Sequence, residues 1–454
     1  MPAGDGIILR GTAVHAPRRG EIEILEDAII AVDAAGVIAS VARPGDEGYA
    51  RARAAHAADR RALSLGPGQF LLPGLIDLHI HAPQWPQLGK ALHLPLEDWL
   101  LKHTFPLEKR YADLEFARRA YRSLVEALLA NGTTTAVYYA TIHDAASLAL
   151  AEICLAEGQR AFIGRVAMDN AGLCPEDYRD PSPEAGLAGT AAFIERVRGL
   201  AANSGGLVQP VVTPRFIGGC SDRLLASLGR LALETGAAVQ THCSEGDWEH
   251  GLALARYGKT DTAALAGFGL LTRRTVLAHG NFIAGADLDL IAGSGAGVAH
   301  CPLSNAYFAN AVFPLRAALE RGLRVGLGTD IAAGHSPSIL DACRQAVAAS
   351  RMLEDGVDPR LPPERRGRPA SRTDFAEAFW LATAGGADVL DLPVGRFQPG
   401  CRFDALLLDA DAPGSNVFLW EELDDPAERF QKLIYNAGRA NIRTVWVDGR
   451  RVRG

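Results

Sequence analysis

The chain has 454 residues, 48% of them apolar and 22% charged, with a formal net charge of −7 at pH 7. That length holds two or three ordinary domains or one large barrel with an appendage, and the apolar share supports a sizeable core. The mildly acidic balance argues against nucleic acid as a partner, and seven scattered cysteines without a CxxC pair argue for reduced thiols in a cytoplasm rather than a disulfide framework.

The opening stretch MPAGDGIILRGTAVHAPRRG has no basic segment followed by an apolar core, so no secretory signal is expected. GIILRGTAV, EIEILEDAIIAV and GVIASVA then read as short strands separated by Gly, Pro and Asp. RFDALLLD and RTVWVDGRRV read the same way near the other end. Residues 1–68 and 392–454 are therefore expected to assemble one small β-sandwich from both chain ends.

Between them, residues 69–391 alternate apolar runs with helical patterns such as YADLEFARRAYRSLVEALLANG. The runs are QFLLPGLIDLHIH, TTTAVYYA, AFIGRVAMD, LVQPVVTPRF, AAVQTHCSE, RTVLAHGN, AGVAHCPLSN and LRVGLGTD. Strand then helix, eight times over, is the pattern of an α/β fold of the (β/α)8 barrel type. NGT at 131–133 fits a glycosylation sequon, which without secretion reads as chance. The uncharged stretch from Leu290 to Leu315 is broken by Gly, Ser, Asn, His and two prolines. It reads as buried barrel, and no membrane span is expected. The Pro- and Arg-rich segment 358–374 reads as a solvated connection.

Chemistry-capable residues cluster at the C-terminal ends of these runs: His79 and His81 on the first, Arg215 on the fourth, His242 and Glu245 on the fifth, His279 on the sixth and Asp330 on the eighth. In a (β/α)8 barrel those ends share one face, where active sites are built. His79 and His81 stand two apart on a strand and are expected to point the same way, as a bite for one divalent cation. Any histidine alone is more often a satisfied core residue; the set is what points to a metal. Nitrogen-rich ligation with one carboxylate suits one zinc ion, with iron as the rival. The fourth run has no lysine to bridge two metals. His79, His81, His242 and Asp330 can hold the ion and leave a position for water. Glu245 is the natural proton shuttle, His279 can orient or polarise the water, and Asp330 can accept its proton.

PGLIDLHIH, THCSE, LAHG and GLGTD, in that order, resemble the amidohydrolase superfamily across almost the whole chain. Within it the chain is similar to the guanine deaminase family, through HIHAPQWPQLGKALHLPLEDWLLKHTFPLEKRY, VTPRF, HCPLSN and GLGTDIAAG. The resemblance implies a cytoplasmic, dimeric enzyme that deaminates a purine with zinc. It implies His79, His81, His242 and Asp330 as zinc ligands, Glu245 and His279 as the catalytic shell, and Gln84, Arg215 and Phe216 as purine-reading groups. Their chemistry agrees: Phe216 offers an apolar face, Arg215 a fork of donors for a carbonyl oxygen, and Gln84 both donor and acceptor for a ring edge. The sequence departs in detail at HSPS, 335–338, which bears on substrate discrimination. The competing expectations are a deaminase of another purine, a pterin or a triazine, and a non-catalytic ligand-binding protein on the same scaffold. The last would be marked by loss of a ligand or of Glu245, and both are present. The smaller zinc-deaminase design with HxE and PCxxC is excluded by the absence of CxxC.

Overall fold

Ile7–His15 pairs antiparallel with Glu23–Val32, which pairs in turn with Ile38–Ala42. From the other chain end, Ala405–Asp409, Ile442–Val447 and Arg450–Arg453 extend the same sheet through Gln69–Pro73. With the two-residue strand Leu63–Ser64 paired to Ile7–His15, the product is one eight-stranded sheet in a computed structural model that describes residues 6–454. Leu9, Ile30, Leu71, Phe403 and Trp446 share a core of their own, drawn from both ends. A helix, Tyr49–Ala58, interrupts the expected run of strands. Its YARARAAHAA is alanine-rich with no apolar stripe, so propensity rather than burial favours it.

The run QFLLPGLIDLHIH divides. Gln69–Pro73 stays in the terminal sheet and Leu75–His81 begins the barrel, so the passage falls at Gly74 rather than at the expected residue 69. A Cβ at Gly74 would stand 2.2 Å from Thr134 Oγ1, so no side chain fits where the backbone crosses.

The barrel strands are Leu75–His81, Thr133–Tyr139, Arg160–Gly164, Val208–Pro214, Ala238–Cys243, Thr275–His279, Gly297–His300 and Arg324–Leu327, parallel and neighbouring in chain order. Just beyond the last strand the ring closes on the first: Asp330 N donates to His79 O at 2.9 Å, and His81 N to Ile331 O at 2.9 Å. Ile76, Val137, Phe162, Val211, Ala238, Val276 and Ala299, one from each of the first seven strands, form one cluster with Ala387 and Val389. Residues from opposite staves can meet only on the axis, so the barrel is filled, not hollow.

The helices between strands start and stop where the local chemistry dictates. Asp113 accepts from Glu115 N and Phe116 N to open Leu114–Ala130, and Ser221 accepts from Leu224 N to open Asp222–Thr235. In Leu114–Ala130, Ala117, Tyr121, Leu124 and Leu128 bury one face at helical spacing.

Asn131 of the NGT triplet is buried and donates through Nδ2 to Ala127 O, closing that helix. The Leu290–Leu315 stretch becomes a helix end, the seventh strand and a short helix. Among the described residues no helix is long and apolar enough to cross a membrane. The 358–374 segment is largely exposed, with Arg360 paired to Asp358 and Arg372 to Asp355. The seven cysteines are unpaired, and six are buried.

Candidate active site

Each expected residue lies at the C-terminal end of its stave. His81 and His279 end the first and sixth strands, and Arg215 follows the fourth directly. His242 is the penultimate residue of the fifth, Glu245 lies two past its end, and Asp330 three past the end of the eighth. Three of these ends bend into the left-handed region without glycine: Ser244 (φ 51°), His279 (φ 74°) and Asp330 (φ 51°). Such residues cost about 1–3 kcal/mol each and persist only where the surroundings over-determine them. Two of these bends, at His279 and Asp330, carry side chains of the central cluster, while Ser244 turns its hydroxyl to Asp261 on a neighbouring helix. Gly328 makes room for that approach, since a Cβ there would lie 2.9 Å from both His79 Cβ and Cys301 Sγ.

Asp77 ties the first and last staves together from below. Its carboxylate accepts from His79 N (3.2 Å), Thr329 N (3.0 Å) and Thr329 Oγ1. Both ends of the barrel seam are thus registered next to His79 and Asp330.

His79 and His81 do face one another, with ring centroids 4.9 Å apart. Their Nε2 atoms stand 3.2 and 3.6 Å from Asp330 Oδ1. His81 Nε2 is also 3.0 Å from His242 Nε2. His242 Nδ1 donates to Arg215 O and His279 Nδ1 to Asn305 Oδ1, which leaves each Nε2 a lone pair aimed inward. His279 Nε2 lies 3.7 Å from Glu245 Oε2 and 3.8 Å from Asp330 Oδ2.

Among the described residues, three buried atoms at this meeting point have no hydrogen-bond partner: His79 Nε2, His279 Nε2 and Asp330 Oδ1. Burial and adjacent imidazoles hold His79, His81 and His242 well below the usual histidine range, so they stand as neutral nitrogen donors. Unpaired buried polar atoms are costly, and lone pairs converging on one point repel unless a cation sits between them. Ligand atoms of His79, His81 and Asp330, of His79, His242 and His279, and of Glu245, His279 and Asp330 lie within 4.8 Å of one another in each set. The residues present fit a single divalent cation, with nitrogen donors in the majority.

Glu245 is held by its backbone. Glu249 Oε2 accepts from Glu245 N (2.9 Å), and Asn281 Nδ2 donates to Glu245 O (2.7 Å). Asn281 also exchanges hydrogen bonds with Asn305, the partner of His279. One amide pair thereby fixes both Glu245 and the His279 tautomer. Burial, then the neighbouring Asp330, pushes the Glu245 carboxyl well above its usual range. Burial likewise raises Asp330 to about 6 against the pull of His279. A carboxyl that holds a proton near neutrality suits proton transfer.

Above this floor opens a cavity lined by His81, His242, Asp330, Gln84, Phe216 and Trp248, with Trp99 and Leu100 as a roof from the loop after the first strand. Phe216 and Trp248 rings meet at 5.7 Å and form an aromatic wall. The specificity trio differs from the expectation in one respect: its polar members are already engaged. Arg215 forms a bidentate pair with Glu108, Nη1 to Oε2 at 2.6 Å and Nη2 to Oε1 at 3.0 Å. Gln84 Nε2 donates to Glu108 Oε1 (3.0 Å), and its Oε1 accepts from Ala332 N (3.2 Å). Gln84 is therefore not a free reader of both donors and acceptors. Burial works against the Arg215 charge, and Glu108 more than offsets it.

Glu108, Trp248, Asn281 and Asn305 carry site roles that motif reading did not assign. Glu108 lies far along the loop in TFPLEKRY, where only contact reveals its partner. Trp248 follows Glu245 by three residues, the one local signal available.

The sequence profile that matches the chain is that of the amidohydrolase family, over residues 70–452. The chain is 37% identical to a probable guanine deaminase of Schizosaccharomyces pombe over 98% of this chain and 83% of that one. It is 36% identical to the guanine deaminase of Homo sapiens over 98% of this chain and 96% of that one. Among solved structures, the guanine deaminase from C. acetobutylicum, with guanine bound in its active site, superposes with a TM-score of 0.87 at 28% identity, covering 98% of this chain and 100% of that one.

Proposed function

From the premise that the chain belongs to the amidohydrolase family, among its guanine deaminases, we propose that it hydrolyses guanine at C2 to xanthine and ammonia with one bound zinc ion. The observation that carries this reading is the set of buried atoms without a hydrogen bond, His79 Nε2, His279 Nε2 and Asp330 Oδ1, clustered where Asp330 meets a cavity walled by Phe216 and Trp248. A purine is flat and apolar on its faces and polar on its edge, and this cavity offers both kinds of contact.

His79, His81, His242 and Asp330 would hold the metal. Bound there, it supplies Lewis acidity that makes a water nucleophilic near neutral pH. The chain's own groups do the rest. Phe216 and Trp248, in contact with each other, flank the ring from one wall, and Arg215 donates to the 6-carbonyl. Asp330 accepts a proton as the water oxygen bonds to C2. Glu245 delivers a proton to N3, and C2 becomes tetrahedral. His279, fixed by Asn305, keeps its lone pair toward the water and orients it. The C2–N bond then breaks and ammonia leaves. As it does, Asp330 passes its proton to the departing nitrogen and Glu245 takes one back from the C2 hydroxyl, so the carbonyl of xanthine forms and both carboxyls return to their starting states.

The test is a panel of guanine, 8-oxoguanine, adenine, cytosine and a pterin, with ammonia release as the readout. Guanine is expected to give the highest kcat/KM. Folded, metal-loaded protein that releases no ammonia from guanine would overturn the assignment.

A further inference from the structure

Glu108 is fully buried and lines no part of the cavity, yet its carboxylate takes three charged or polar hydrogen bonds from two side chains that do line it, Arg215 and Gln84. Its neighbour Phe105, on the same short helix, sets its ring 5.0 Å from the Arg215 guanidinium carbon and confines that group from another side. Ala332 N holds the opposite end of the Gln84 amide. With a carboxylate on one side and a backbone N–H on the other, the amide has one allowed orientation. Counting valences, each terminal nitrogen of Arg215 keeps one free N–H, and Gln84 Nε2 keeps one. What remains for a ligand is a row of donors.

We propose that Glu108 is the positioning residue that sets substrate choice: by clamping Arg215 and Gln84 together, it presents a donor edge that accepts a ring carbonyl and rejects an amino group at the same place. This rests on the guanine reading above. Without the clamp, Arg215 is a long side chain with a loose charge, and Gln84 is free to turn its carbonyl to the ligand. A site built to hydrogen-bond one group discriminates strongly against an analogue that lacks it, and a misplaced donor loses that discrimination first. Glu108 touches no reacting atom; it acts through its two partners.

The experiment uses the full-length, zinc-loaded enzyme and two ligands that cannot be deaminated: hypoxanthine, which carries the 6-carbonyl, and unsubstituted purine, which does not. In Glu108→Gln the Kd of hypoxanthine is expected to rise at least thirtyfold, while the Kd of purine and the zinc content stay within twofold. The kcat/KM for guanine falls in parallel, mostly through KM. Glu108→Asp keeps the charge but is one methylene too short to reach both partners. It is expected to fall between wild type and Glu108→Gln, and it carries the comparison if the glutamine variant does not fold. Equal weakening of both ligands would show that Glu108 only holds the fold together, and an unchanged Kd for hypoxanthine would equally overturn the proposal. Wild-type protein that prefers hypoxanthine over purine but does not turn over guanine would sink the functional reading and leave the role of Glu108 standing.

Discussion

Replacing Asp77 with alanine should loosen the metal site without touching a ligand. The carboxylate accepts from His79 N, Thr329 N and Thr329 Oγ1, and the donors sit on or beside two of the proposed metal ligands, His79 and Asp330. All of these groups are buried, so the alanine leaves three donors without a partner. At about 1–3 kcal/mol for each unsatisfied buried group, the loss is about 3–6 kcal/mol once some relaxation is allowed. Groups that orient metal ligands from behind typically change affinity about 10–100-fold, so zinc should bind weaker by that factor. Asparagine is the control. Its Oδ1 still accepts both backbone N–H groups, and its Nδ2 can donate to the Thr329 hydroxyl, which reverses its role. The assay is zinc retention against a graded chelator, with the urea midpoint of each variant alongside. Expected is a large shift for Asp77→Ala and a small one for Asp77→Asn. If the alanine variant keeps zinc as tightly as wild type, or the asparagine variant fails as badly, the seam does not hold the ligands in place.

Three further variants probe the cavity above. Glu245→Gln should keep its zinc and lose about 10²–10⁴-fold in kcat, the usual weight of a positioned proton donor; steady-state rates with metal analysis decide. Asn305→Ala removes the acceptor that fixes the His279 tautomer and should lower kcat about tenfold at unchanged zinc content, a split that a collapse of the metal site would not give. Trp248→Ala strips the partner of Phe216, an aromatic contact worth about 0.5–1.5 kcal/mol, and should raise KM for guanine several-fold with kcat within twofold.

The fold and the clustering of the histidines and carboxylates at one mouth were legible because they obey short-range rules. Eight apolar runs alternating with helical patterns specify the barrel, and a polar residue at a run's end falls on the mouth by construction. His79 and His81 could be paired from spacing alone. The Gly74 junction was not legible, since QFLLPGLIDLHIH is uniformly apolar across two different sheets. Periodicity does not change there; only the crowding of Thr134 against the backbone marks the crossing. The state of Arg215 and Gln84 was hidden for another reason. Their shared partner, Glu108, lies 107 positions from Arg215, and no local pattern distinguishes it from a solvated glutamate. The Asn281–Asn305 pair is similar, with both members visible in motifs but their mutual contact set by the packing of the sixth and seventh staves.

The most direct measurement is ammonia yield from guanine by one protein sample before chelation, after chelation, and after zinc is restored. One zinc per chain, with ammonia formed mole for mole with guanine lost, abolished by chelation and recovered on reloading, is the expected result. Folded protein that binds no metal, or that releases ammonia undiminished once metal is removed, would contradict the idea that imidazoles from separate staves gather one cation to activate water.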